Sequence, residues 1–142
     1  MRIQDILHTK GSDVIHLRPD ASVAELVRLL REHNLGAVVV SADGRTIEGI
    51  VSERDVIRRL ADGVGFLDQP VSGVMTADVH TCTPQDSVES VMSSMTDRRI
   101  RHLPVVDAHD RLTGIVSIGD VVKSQIAQLE FEREQLEGYV SG

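Results

Sequence analysis

Apolar and polar positions along the first half of the chain alternate between two periods. Val14 to Leu17 forms a short β-type run that stops just before Pro19. Beyond it Val23, Leu26 and Leu30 fall at the three- and four-residue spacing of one helical face. Ser22, with Glu25 three residues later, predicts a capping box at the start of that helix. Gly36 is expected to close it as a left-handed cap. The unbroken run AVVV that follows reads as a buried strand. Asp43-Gly44 predicts a tight turn, and Ile47 to Val51 returns as the second arm of a hairpin. A second helix is expected from Ser52, with Val56, Ile57 and Leu60 as its apolar positions. The predicted order is β-α-β-β-α.

The order then recurs. Pro19 is answered by Pro84, Ser22 by Ser87, Gly49 by Gly114, Ser52 by Ser117 and Asp55 by Asp120, always 65 residues on. No gap is needed between Asp13/Asp78 and Val56/Val121. In the second copy Val79 to Thr83 is the first β-type run, Leu103 to Val106 and Leu112 to Val116 form the hairpin across AHDR, and the last helix starts near Ser117. This is an internal duplication. Two copies are too few for a solenoid, so they predict two half-modules packed about a pseudo-twofold axis, one compact α/β (α+β) unit. The Gly, Asp and Pro content of ADGVGFLDQP marks the connection. The expected boundaries are residues 1–62 and 74–125 for the repeats, 63–73 for the linker and 126–142 for a helical extension. In that extension Ile126, Leu129, Leu136 and Val140 share a stripe interrupted by Arg133, with Glu130, Glu132, Glu134 and Glu137 elsewhere. Such a stripe is expected to bury itself either on the chain's own linker or against a dimer mate or partner.

Composition narrows the chemistry. A chain of 142 residues can bury a core without staples. Its single cysteine, Cys82, forms no intrachain disulfide and reads as a small buried hydrophobe, and no Cys/His cluster has zinc spacing. No segment is apolar for long enough to span a bilayer, which points to a soluble, cytoplasmic protein without membrane contact. A formal net charge of −7 opposes binding to a phosphate backbone, and with one Tyr, two Phe and no Trp there is little to stack on bases, so no nucleic-acid role is expected. No nucleophile elbow, P-loop, HExxH or dinucleotide fingerprint is present, so no enzyme, no metal and no resident cofactor are expected.

The repeated GIVSxxD, in GIVSERD and GIVSIGD, delivers a strand to a helix N-terminus, with Ser at the cap and Asp in the first turn. Free backbone N–H groups and the positive end of the helix dipole collect there, which suits an anion. Two readings follow. Either Ser-x-x-Asp is a capping pair, or the Asp carboxylate accepts hydrogen bonds from two ribose hydroxyls while the Ser hydroxyl and amides meet phosphate. The two ends should differ, because DRRIRH, residues 97–102, is densely cationic where the first repeat has EHNLGA, and Arg54 becomes Gly119.

With motif, order and duplication together, the chain resembles a tandem pair of CBS domains over residues 3–125, and RHLPVVDAHDRLTGIVSIGDVV is similar to the regulatory module of IMP dehydrogenases. The resemblance implies βαββα repeats, often dimerising, with up to two clefts for adenosine-containing ligands. It implies regulation and not catalysis, since the large catalytic barrel of IMP dehydrogenases is missing. A cleft centred on Asp55 would use Ser52, Arg54 and, from the facing repeat, Thr81 and Arg101. One centred on Asp120 would use Ser117, Arg101 and His102, with His16 where the family often has Thr. The base would lie between aliphatic side chains such as Val14, Ile15, Val38, Val79 and Leu103. The expected role is a homodimeric sensor of AMP, ADP, ATP, NAD(H) or S-adenosylmethionine that signals to an unidentified regulated protein. The alternative is a nucleotide-independent interaction module in which both Asp residues only cap helices.

Overall fold

The structure, a computed structural model, describes residues 1–141. Its elements are α1 (Ile3–Lys10), β1 (His16–Leu17), α2 (Val23–Glu32), β2 (Ala37–Val40), β3 (Gly49–Ser52), α3 (Glu53–Leu60), α4 (Val88–Arg98), β4 (His102–Val106), β5 (Leu112–Ser117) and α5 (Ile118–Ser141). Two 3-10 turns, Val64–Asp68 and Val71–Gly73, lie between α3 and α4.

In the first repeat β1 runs parallel to β2, which pairs antiparallel with β3. In the second, β4 and β5 form the hairpin. The strand expected over Val79 to Thr83 is reduced to one residue, Cys82, whose N–H donates to Pro104 O and whose carbonyl accepts from Val106 N. Cys82 pairs with Val105 in parallel as Leu17 pairs with Val40, so the duplication extends to the register.

Each repeat has its own core, completed by the segment that precedes the other repeat. Val23, Leu26, Val38, Val40, Val51 and Val56 enclose Phe66 and Val71 from the 3-10 turns. Val88, Val91, Met95, Leu103, Val105 and Val116 enclose Ile3 and Ile6 of α1. Backbone bonds follow the same exchange: Val71 N donates to Ala21 O, while Ile3 N donates to Asp86 O and Val88 N to Met1 O. The connection is thus part of the first core. Burial of these side chains, at about 1.5–3 kcal/mol each, ties the halves into one unit.

This exchange bears on the first letter of the repeated motif. A Cβ on Gly49 would fall on the Met75 side chain and 3.0 Å from Thr76 O, and one on Gly114 would lie 2.7 Å from Leu7 Cδ2. At Gly49 the exchanged segment's backbone carbonyl itself stands in the way of a side chain, whereas at Gly114 the neighbour is the end of the flexible Leu7 side chain, which can shift.

Some local expectations need correction. The helix α2 ends at Glu32, and Asn34 rather than Gly36 takes the left-handed conformation, with φ of 52°. Gly36 is required for a different reason: a Cβ there would stand 2.8 Å from the His102 ring. Ser22 Oγ accepts from Glu25 N at 3.2 Å, one half of the expected box. The Asp43-Gly44 turn forms as expected, with Gly44 at φ 78°. There the N–H groups of Thr46 and Arg45 hold the Asp43 carboxyl far below its ordinary pKa. On α3 only Val56 is buried, and Ile57 and Leu60 are exposed.

Candidate functional site

Both copies of Ser-x-x-Asp form reciprocal capping boxes. Ser52 N donates to Asp55 Oδ2 at 2.8 Å while Asp55 N donates to Ser52 Oγ at 3.3 Å. Ser117 N donates to Asp120 Oδ2 at 2.9 Å and Asp120 N to Ser117 Oγ at 3.1 Å. The following amides are held too: Glu53 N donates to Gly36 O and Ile118 N to Arg101 O. Most of the helix N-terminal donors therefore serve the cap, and an anion at this end must rely on side chains. Ser52 Oγ also donates to Asp55 Oδ2, at 3.0 Å, so Asp55 Oδ1 receives no hydrogen bond from the described residues.

A cavity of about 220 Å³ opens beside Asp55, at the seam of the two repeats. The first repeat contributes Ser52, Glu53, Arg54, Asp55 and Arg58, and the second contributes Asp78, His80, Arg99, Arg101 and His102, so four guanidinium groups face three carboxylates. Ile50, Val79 and Ile100 supply aliphatic wall. None of the four guanidinium groups is ion-paired among the described residues. A shallower hollow lined by Arg54, Arg99, Arg101 and Ile118 adjoins the cavity. Arg99 reaches the site because it caps α4 in the left-handed conformation, φ 55°, which turns the chain back before β4. Arg98 instead meets His80, with 3.1 Å between Nη1 and Nε2.

Of the residues singled out from sequence, Ser52, Arg54, Asp55, Arg101 and His102 thus converge on one cavity. Thr81 does not line it, and its neighbours Val79 and His80 do. Ser117 and Asp120 line neither hollow. His16 packs its ring over Gly44, where an added Cβ would be 2.9 Å from His16 Cε1. Val38 and Leu103, expected to flank a base, are buried in the two cores instead. Arg58, His80 and Arg99 were not anticipated, although Arg99 sits in the basic run already apparent in the sequence.

The end at Asp120 is built differently. Lys10, the last residue of α1, donates to Asp120 Oδ2 at 2.6 Å and to Ile115 O at 2.9 Å. Burial acts to raise the pKa of Asp120. The hydrogen bonds from Lys10 and Ser117, with the Lys10 charge, outweigh it and hold the carboxyl below its ordinary value. His102 stands between the two ends. Burial first, then the Lys10 and Arg101 charges, depress its pKa against the opposing pull of Glu53 and Asp120, so its ring is neutral at pH 7. Burial, helped by Asp86, pushes the Cys82 thiol up to about 12. Among the described residues no helix is long and apolar enough to cross a membrane, and no three His, Cys, Asp or Glu side chains converge to hold a metal ion.

The profile of the CBS domain matches residues 3–62 and again 71–127. The chain belongs to the CBS-domain family. As a CBS pair it is 34% identical over 149 residues to the CBS domain-containing protein CBSX3, mitochondrial, of Arabidopsis thaliana, covering 99% of this chain and 72% of that one. Among solved structures it is similar to a CBS-domain containing protein from Agrobacterium tumefaciens, with a TM-score of 0.84 and 42% identity over 88% of this chain and 99% of that one. It is also similar to a CBS domain protein from Pyrobaculum aerophilum complexed with AMP, with a TM-score of 0.76 and 27% identity over 84% and 89% of the two chains.

Proposed function

We propose that this CBS pair is a regulatory, non-catalytic module that binds one adenine nucleotide per chain in the cavity at Asp55. The observation that carries this reading is the convergence there of a carboxylate with a free oxygen and four guanidinium groups without carboxylate partners. Asp55 Oδ1 accepts from a ribose hydroxyl, an interaction available only to an acceptor. Arg54, Arg58, Arg99 and Arg101 meet phosphates, for which the planar guanidinium fork is well matched. The adenine lies against Ile50, Val79 and Ile100. The AMP complex of the Pyrobaculum relative supports the ligand class.

Charge orders the candidates. A ligand with two or three phosphates engages more of the arginines than AMP does, and because the four guanidinium groups outnumber the lining carboxylates Glu53, Asp55 and Asp78, the sulfonium cation of S-adenosylmethionine is the least favoured. The expected order is ATP and ADP, then AMP, then S-adenosylmethionine. At the other end Lys10 already neutralises Asp120, which favours one ligand per chain. Because the cavity draws Asp55 from one repeat and Arg101 from the other, occupancy favours the arrangement that holds both on one ligand, and this differential affinity is the signal.

Thermal unfolding against AMP, ADP, ATP, NAD and S-adenosylmethionine, with GTP as control, tests the reading. A ligand at a hundred times its Kd adds about 2.7 kcal/mol, a shift of several degrees. Shifts in the stated order support it. Flat curves with every ligand overturn it in favour of an interaction module without a nucleotide.

A further inference from the structure

The second half of α5 leaves the module. Val121 and Ser124 are buried against it, yet from Leu129 to Val140 every residue is exposed. These twelve residues carry the 24-residue helix about 18 Å, at 1.5 Å each, past its docked first half, with no packing partner among the described residues. Val122, Ile126, Leu129, Arg133, Leu136 and Val140, apolar except for Arg133, succeed one another in alternating steps of four and three, while the exposed Phe131 and Tyr139 lie off this stripe. That is the a/d spacing of a heptad, with Ile126, Arg133 and Val140 at a and Val122, Leu129 and Leu136 at d. Val121 and Ser124 then occupy c and f, so the side of the helix that docks on the module is opposite the seam, and the seam faces outward.

The residue types select the occupant. β-Branched residues at a with Leu at d favour two parallel strands, and a single polar a position fixes register. Arg133 is that position. Its Nε lies 3.6 Å from Glu137 of the same helix, and Glu132 precedes it at g. In a parallel pair Glu132 of the second copy flanks each Arg133, so the two buried cations meet two acidic groups. The opposed Glu132 and Glu137 repel weakly across the seam, and Arg133 between them offsets this.

We propose that the exposed stripe of α5 pairs in parallel and in register with the same stripe of a second copy of this chain, forming a two-stranded coiled coil whose alignment Arg133 sets. Single cysteines in the full-length chain test this, because the native Cys82 is buried and its thiol unreactive. Leu136→Cys places two thiols face to face at a d layer, whereas Glu134→Cys, at b, points them apart. Under mild oxidation Leu136→Cys should form a covalent dimer at least about tenfold faster than Glu134→Cys, since disulfide geometry demands close, facing Cβ atoms. Adding Leu129→Glu to the Leu136→Cys chain should abolish the difference. Both positions lie outside the two cores, so each variant should fold, and Leu129→Glu should lose only the stabilisation that pairing confers. Equal rates at the two positions, or fast cross-linking that survives Leu129→Glu, would overturn the proposal.

Discussion

Replacing Lys10 by methionine keeps the aliphatic stem and removes the charge that engages Asp120 and Ile115 O. The pair is neither surface nor core: the side chains are 36% and 25% exposed. Exposed pairs contribute about 0.2–1 kcal/mol and breaking a fully buried one costs about 3–5 kcal/mol, so this intermediate case should cost about 1–2 kcal/mol at pH 7. Asp120 keeps its bond from Ser117 N, which argues for the lower part of that range. For a domain of this size the loss is a drop of several degrees in Tm. Urea unfolding of both proteins at pH 7 and near pH 2.5 separates charge from packing. Asp120 titrates below its unfolded value, so its stabilisation is present above about pH 4 and is lost as pH falls through the folded pKa. The difference between the parent chain and the Lys10→Met variant should therefore shrink in acid. An equal difference at both pH values would refute the assignment of the stabilisation to the ion pair.

Other consequences follow from the same geometry. Gly49→Ala should destabilise by about 1–3 kcal/mol, because the new methyl meets Met75 and the Thr76 carbonyl, and urea midpoints would register it. His102 is neutral in the folded chain and titrates below the ordinary 6.5, so stability should fall as pH drops below that value, and His102→Asn should remove this component of the pH profile. Cys82 should resist thiol reagents at pH 8 in the native protein and react at once in denaturant, because the thiol is buried with its pKa pushed up to about 12.

Much of this organisation was legible in the chain. The constant offset of the repeats indicated both hairpins and offered both Ser-x-x-Asp capping pairs as one of two readings, because turn residues and caps act within a few positions of themselves. What failed depended on distance. Ile3 and Ile6 stand one helical turn apart, yet α1 draws its partners from residues 82–121, so nothing local indicated that it belongs to the second core. Lys10 meets a carboxylate 110 residues away and was missed for the same reason. Glycine is common as a helix cap, which is what Gly36 suggests locally, whereas its real constraint is the His102 ring from the other repeat. At the candidate site the motif pointed to Ser52, Arg54 and Asp55. Arg58 and His80 carry no motif, and only the seam between repeats brings them to the same cavity.

The central claim is that a nucleotide occupies the Asp55 cavity and not the Asp120 end. Calorimetric titration of ATP into the parent chain, Asp55→Ala and Asp120→Ala tests it most directly. Each hydrogen bond to a charged group contributes about 1.5–3 kcal/mol, so losing the ribose acceptor should weaken binding by about tenfold to a hundredfold or more. The account predicts one ATP per parent chain, that loss in Asp55→Ala, and a change within about threefold in Asp120→Ala. Both variants lose a cap worth about 0.5–2 kcal/mol of stability, so Asp120→Ala also controls for that effect. Equal losses in the two variants, a loss confined to Asp120→Ala, or no binding by the parent would contradict it.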